Sequence, residues 1–202
     1  MHNAFASFIK NLGDAKALTG LHEFLSGKIG GPMSYDDLLR AQYVYSVSAF
    51  DKFMHDIILI GMVDTFVGKR PATDKYLNET LSISIVNQLT SQTLTPPHLI
   101  FKDTVFLKLK TLSFQDPSKI ADGLAYIWNE SHKWVKISQV MGMTDRAIKI
   151  QLRLIADRRN AIVHESDIDP VSLSKIDIDT ALAKDVTDFL ERCGTTIFNF
   201  VK

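Results

Sequence analysis

The stretch "DRRNAIVHESDIDP", residues 157–170, places Arg158, Arg159, Asn160 and His164 within seven positions. A histidine near its ordinary pKa takes or supplies a proton at neutral pH. An arginine keeps its charge and presents a planar fork that grips a phosphate or carboxylate with two parallel hydrogen bonds. Side by side, these side chains suit a reaction in which a proton moves while negative charge builds on a held anion. The bland reading of the same residues is a solvated helix end, with His164 a cation favoured by the helix macrodipole.

The residues carrying this chemistry fall on a helix running from Thr144 to about Glu165, capped by Thr144 or Asp145. At about 100° per residue, Arg146, Lys149, Arg153, Asp157, Asn160 and His164 share a sector of roughly 80°. Leu152, Leu154, Ile155 and Ile162 lie mostly on the other side. Arg159 is the exception, about 140° round from His164 and near Ile155 and Ile162. A charge that cannot be lost, set on the apolar side, must reach an acid, a ligand or a second subunit.

A second long helix is expected from about Ser34 to about Val67, with Ser34 as N-cap and Asp36 and Asp37 in the first turn. Leu39, Tyr43, Ser46, Phe50, Phe53, Ile57 and Ile60 form one stripe, and Val44, Val47, Met54, Ile58 and Met62 a second. A helix apolar over so much of its circumference belongs in the centre of a bundle or at a subunit interface. Asp51 sits in the second stripe with His55 four residues on. A carboxylate there needs a partner. His55 is one candidate, and Arg159, misplaced on its own helix, is another.

The rest of the chain is globular in character. Its 202 residues are 46% hydrophobic and 23% charged, enough for a core without disulfides or metal. Lys+Arg and Asp+Glu both count 23, which argues against indiscriminate nucleic-acid binding but leaves room for a local basic site. The lone cysteine, Cys193, fits a reducing compartment. The start of the chain lacks a signal-peptide pattern, and the apolar run "IILIGMV" falls far short of a membrane span. The expectation is a soluble, cytoplasmic protein.

Turn signals at "GKIGGP" (27–32), "GKRPATD" (68–74), "TPP" (95–97), "QDP" (115–117), "MGMTD" (141–145) and "SDIDP" (166–170) separate segments of helical spacing, so the chain reads as all-α. Only "LSISIV" (81–86) alternates like a strand, and briefly. Trp128 and Trp134 read as core aromatics rather than a base-stacking platform, Lys102, Lys108 and Lys110 as a solvated face with phosphate contact as the alternative, and His22 lacks the second histidine of a zinc helix.

"RNAIVH" (159–164) resembles the Arg-x4-6-His motif of HEPN domains, with Asn after the Arg. Together with "ESDIDP" and the upstream "YVYSVSAFDKFMHDI" (43–57), the chain is similar to the RiboL-PSP-type HEPN subfamily from about residue 15 to 200. The resemblance implies a HEPN-like up-and-down helical bundle with additional helices, one domain over 1–202, paired as a homodimer. It implies a metal-independent endoribonuclease that needs no cofactor, serving as a toxin or phage-defence effector with an antitoxin or other defence-system partner.

In that reading Arg159 and His164 are the catalytic pair, supported by Asn160, Asp51, Arg158 and His55, while Arg146, Lys149 and Arg153 contact RNA. RNA supplies its own nucleophile, the 2′-OH, and a dimer would bring Arg159 and His164 of different copies to one phosphate. The apolar excess of helix 34–67 and of "DFLERCGTTIFNFVK" points to the same dimer. The alternative is a non-catalytic HEPN module that binds RNA or protein. One departure is Ser166, where nucleotide-modified HEPN toxins carry tyrosine, so regulation by modification there is not expected.

Overall fold

A computed structural model describes residues 1–29, 33–91 and 94–202, so the "GKIGGP" junction lies partly outside the described residues. The described chain is all-helical: α1 (His2–Lys28), α2 (Asp37–Phe66), α3 (Asp74–Leu77), α4 (Ile83–Thr90), α5 (Pro97–Leu109), α6 (Pro117–Leu124), α7 (Lys133–Met141), α8 (Asp145–His164) and α9 (Thr180–Val201). Of the strand-like "LSISIV", the last four residues are helical, and Leu81 and Ser82 lead into α4. The Ser82 hydroxyl accepts the Ile85 N–H and starts α4, and this cap outweighs three residues of alternation. A single bridge, Ile168 to Lys175, is the only β pairing among the described residues.

Three long helices form the frame. α1 and α2 are antiparallel, with Phe8 stacked on Phe53 near one end and Thr19 bonded to Gln42 near the other. α9 runs back along α1, joined by Lys16 to Asp188 and Glu191 and by Phe5 stacked on Phe198. Gly194 permits the approach, since a Cβ there would stand 2.5 Å from the Phe8 ring. α2 is the central element, packed by α1, α9, α5, α8 and α6. Both of its apolar stripes face protein: Leu39, Tyr43, Ser46, Phe50, Phe53 and Ile57 from the first, Val47, Met54, Ile58 and Met62 from the second, are all buried.

This corrects one reason for expecting a second subunit. The apolar surface of α2 is covered within one chain, and in α9 Phe189, Leu190, Cys193, Ile197, Phe198 and Val201 are buried as well. The surplus is consumed by the short helices that wrap the frame. α2 also starts later than expected: Asp36 is its N-cap residue, and the Ser34 hydroxyl accepts the Asp36 N–H instead of capping the helix.

Trp134 is a core residue, its Nε1 donating to the Pro117 carbonyl at 3.0 Å, and Trp128 stacks on Phe200. Lys108 does not belong to a free solvated face, because it pairs with Glu79 and donates to the Tyr126 hydroxyl. His22 meets Asp36 at 3.1 Å. Among the described residues no helix is long and apolar enough to cross a membrane.

Candidate active site

α8 begins where the sequence places it, with the Thr144 hydroxyl accepting the Ala147 N–H, and it runs antiparallel to α2. Its core face is Ile148, Leu152 and Ile155, all buried. Arg159 continues that face one turn further, where the core gives way to a cavity of about 350 Å³ between α2, α5 and α8. Arg159 lines it together with Asp51, His55, Lys52 and Asp56 of α2, Phe106, Leu109 and Lys110 at the end of α5, and Leu112 and Gln115 beyond it. Three of the expected site residues, Arg159, Asp51 and His55, therefore share one hollow.

They do not pair as expected. Asp51 accepts the backbone N–H of Phe114, and its other oxygen lies 3.7 Å from His55 Nε2. The His55 ring packs edge-on against Phe114. No ion pair joins Asp51 to Arg159, because the loop after α5 brings a backbone donor to the carboxylate first. Among the described residues Arg159 has only the neighbouring Asn160, whose Oδ1 accepts from Nη1 at 3.2 Å. Its Nε is buried without a hydrogen-bond partner, and no carboxylate lies within ion-pairing distance among the described residues.

Arg158 goes elsewhere. It donates Nη2 to Asp167 Oδ2 at 2.8 Å, and its Nε lies 2.8 Å from Oδ1 in an alignment too bent for a hydrogen bond. Arg40 of α2 donates to the same carboxylate at 2.7 Å, and both arginines also donate to the Ile176 carbonyl. Asp167 is fully buried. Ser166 and Asp167 have φ of 55° and 59°, a left-handed pair of non-glycine residues that the two ion pairs hold in place. Arg158 thus closes the turn after α8 and does not face the cavity. Burial pushes the neighbouring Tyr43 phenol well above its ordinary pKa.

His164 is the last residue of α8 and is exposed, as is Asn160. It is absent from the cavity wall, so one chain does not bring His164 to Arg159 in that hollow. Of the three residues expected to contact RNA, Lys149 is paired with Asp145, whose carboxyl it holds below the usual range, and Arg153 lies 3.5 Å from Asp116. Arg146 is exposed without an acid partner among the described residues.

Arg40, Asp167 and the cavity residues Phe106 and Gln115 escaped the sequence reading, while Lys110, read as part of a solvated face, lines the cavity. Arg40 did carry a signal, since its helix phase puts it in the second apolar stripe, about 20° from Asp51.

Comparison with curated proteins and with solved structures returned no match. Comparison with protein-family models did: the RiboL-PSP-HEPN model matches residues 7–199. That span takes in both α2 with Asp51 and His55 and the whole of α8 with the Arg-x4-His motif, so the chain belongs to the RiboL-PSP-HEPN family.

Proposed function

We propose that this protein is a metal-independent endoribonuclease that cleaves RNA by attack of the 2′-OH on the adjacent phosphate. The observation carrying the proposal is the state of Arg159. It is the motif arginine, it lines a cavity with Asp51 and His55, and it has no carboxylate partner among the described residues. A guanidinium left without an acid is ready to hold a phosphate, and its fork stabilises the charge that grows as the phosphorane forms. Asn160, bonded to Nη1, fixes the fork. His164 takes the 2′-OH proton or returns one to the leaving 5′-oxygen.

Because His164 stands outside the cavity, the reaction as proposed uses two copies, Arg159 of one protomer and His164 of its partner meeting at one phosphate. Arg146, with Lys149 and Arg153 once released from their weak surface pairs, would steer the strand along α8. A toxin or phage-defence role, restrained by a partner protein, is the biology such an activity fits.

The position of His164 favours one competing reading, a HEPN-fold module that binds RNA or protein without cutting. Incubating purified protein with total RNA in EDTA separates the two. Cleavage that leaves 2′,3′-cyclic phosphate ends and disappears in His164→Ala supports the nuclease. Intact RNA with wild type would end the proposal. Light scattering at micromolar concentration should give a dimer, and a monomer would remove the composite site.

A further inference from the structure

The cavity beside Arg159 is larger than a phosphate grip requires. At about 350 Å³ it falls at the small end of the range for small-molecule sites. Its walls are of two kinds. Leu59, Phe106, Leu109 and Leu112 are apolar, and Phe106 is 51% exposed although it sits beside the hollow. Asp51, His55 and Gln115 are polar and line the hollow together with Arg159. Lys52 and Asp56 cancel each other at 2.8 Å, and Asp51 spends one oxygen on Phe114. What stays uncommitted is the Arg159 guanidinium, the Lys110 ammonium and the Gln115 amide, none of which has an acid partner among the described residues.

A flat apolar body, an edge with donors and acceptors, and an anion describe one nucleotide. Phe106 offers a π-face for a base, the Gln115 amide offers both a donor and an acceptor to a base edge, and Arg159 with Lys110 answers the phosphate. A duplex cannot enter a hollow of this size, because each base is stacked and paired. A nucleotide splayed from a loop or single strand can.

We propose that this cavity is a nucleotide subsite that accepts one unpaired base next to the phosphate held by Arg159, so that the RNA recognised is single-stranded or looped. The proposal rests on the ribonuclease reading for its link to cleavage, but binding at the cavity is measurable without any cleavage.

The experiment has two arms. In the first, each of the four nucleoside 3′-monophosphates is titrated into the full chain and binding is followed by calorimetry. At least one should bind saturably, and Phe106→Ala and Gln115→Ala should each weaken it about tenfold, in line with the loss of one base–aromatic stack or one bidentate edge contact. Both variants should keep the wild-type thermal midpoint within a few degrees, because neither residue is buried. In the second arm, Phe106→Ala should raise KM for a single-stranded RNA and blunt its base preference while kcat stays near wild type. A fully paired duplex should resist cleavage.

Absence of saturable binding by all four nucleotides, or binding that both variants leave unchanged, overturns the subsite. Binding that responds to the variants while KM for RNA does not move overturns its role in RNA recognition and makes it a free-nucleotide site. RNA that stays intact in EDTA while nucleotides still bind refutes the ribonuclease reading and leaves the nucleotide site standing.

Discussion

Arg158 and Arg159 are neighbours in sequence and about 100° apart on one helix, yet they meet opposite surroundings. Arg158 enters a closed cluster, where a fully buried Asp167 is shared with Arg40 and the Ile176 carbonyl takes donors from both arginines. Arg159 lines an open cavity, and among the described residues Asn160 is its one hydrogen-bond partner and no acid lies within ion-pairing distance. Burial of charge decides the difference. A carboxylate wholly out of water is tolerable only when its charge is answered on the spot, so the charge of Arg158 is already spent on Asp167. The Arg159 end holds unspent hydrogen-bonding capacity in a space a ligand can reach. Residue type alone does not distinguish a lock from a site; the state of the counter-charge does.

Breaking the closed end should give the largest effect. Asp167→Ala leaves two arginines facing each other and releases the left-handed turn at 166–167. Removing one member of a buried ion cluster costs about 3–5 kcal/mol, and for a chain of this size that lowers the melting midpoint by roughly 6–20 °C. Thermal melting checks it, and Cys193 supplies a second readout. That thiol is wholly buried, and burial pushes its pKa up to about 12, so the folded protein should resist alkylation. Asp167→Ala should open it to reagent many times faster. A wild-type melting curve for Asp167→Ala would deny that the cluster is a lock.

The open end should respond in activity and not in stability. His164→Ala should reduce RNA cleavage about 10²–10⁴-fold, the usual worth of a general acid–base group, and shift stability by no more than about 0.5 kcal/mol because the side chain is exposed. Arg159→Lys should fail to cleave as well, because an ammonium cannot make the fork. Single-turnover cleavage with denaturant melts on the same samples tests both. If Arg159→Lys cost as much stability as Asp167→Ala, the two ends would be alike and the contrast would collapse.

What the sequence revealed of this contrast follows physical lines. The bounds of α8 and its cap were legible because they depend on local chemistry, Thr144 ahead of an amphipathic run. The strain of placing Arg159 and Asp51 on apolar faces was legible from helix phase. Their partners were not. Asp51 is answered by a backbone N–H 63 residues away, and every residue but proline carries such a group, so nothing in the side-chain pattern marks Phe114. Asp167 is answered by Arg40 from 127 residues away, which only the packing of α8 against α2 brings together. Apolar excess in the pattern does not by itself argue for a dimer, because pattern counts apolar faces without showing how many of them the short helices of the same chain will cover.

Asp51 lies between the two extremes, and its replacement should have an intermediate effect. Asp51→Ala removes the acceptor of the Phe114 N–H, and leaving such a donor unmet costs about 1–3 kcal/mol. The carboxylate is about a quarter exposed, so water can take over part of that bond and the loss belongs at the lower end. Denaturant melts should therefore rank Asp51→Ala clearly above His164→Ala and clearly below Asp167→Ala in damage.

The smallest expected effect is also the sharpest test of the cavity's geometry. Asp51 and Arg159 line one hollow but share no hydrogen bond or ion pair, since Asp51 is held by Phe114 and His55 while Arg159 is held by Asn160. Without a direct contact, what couples them is attraction across the shared hollow, which is weaker than a direct ion pair. A double-mutant cycle on folding stability with Asp51→Ala and Arg159→Ala should therefore close with a coupling below about 1 kcal/mol, at the low end of the range for residues sharing a cavity. The same cycle across Arg40 and Asp167 should show strong coupling, because the first variant already breaks the contact that the second would break. A large coupling between Asp51 and Arg159 would mean that the carboxylate neutralises the guanidinium after all. The free charge on which phosphate binding depends would then be absent.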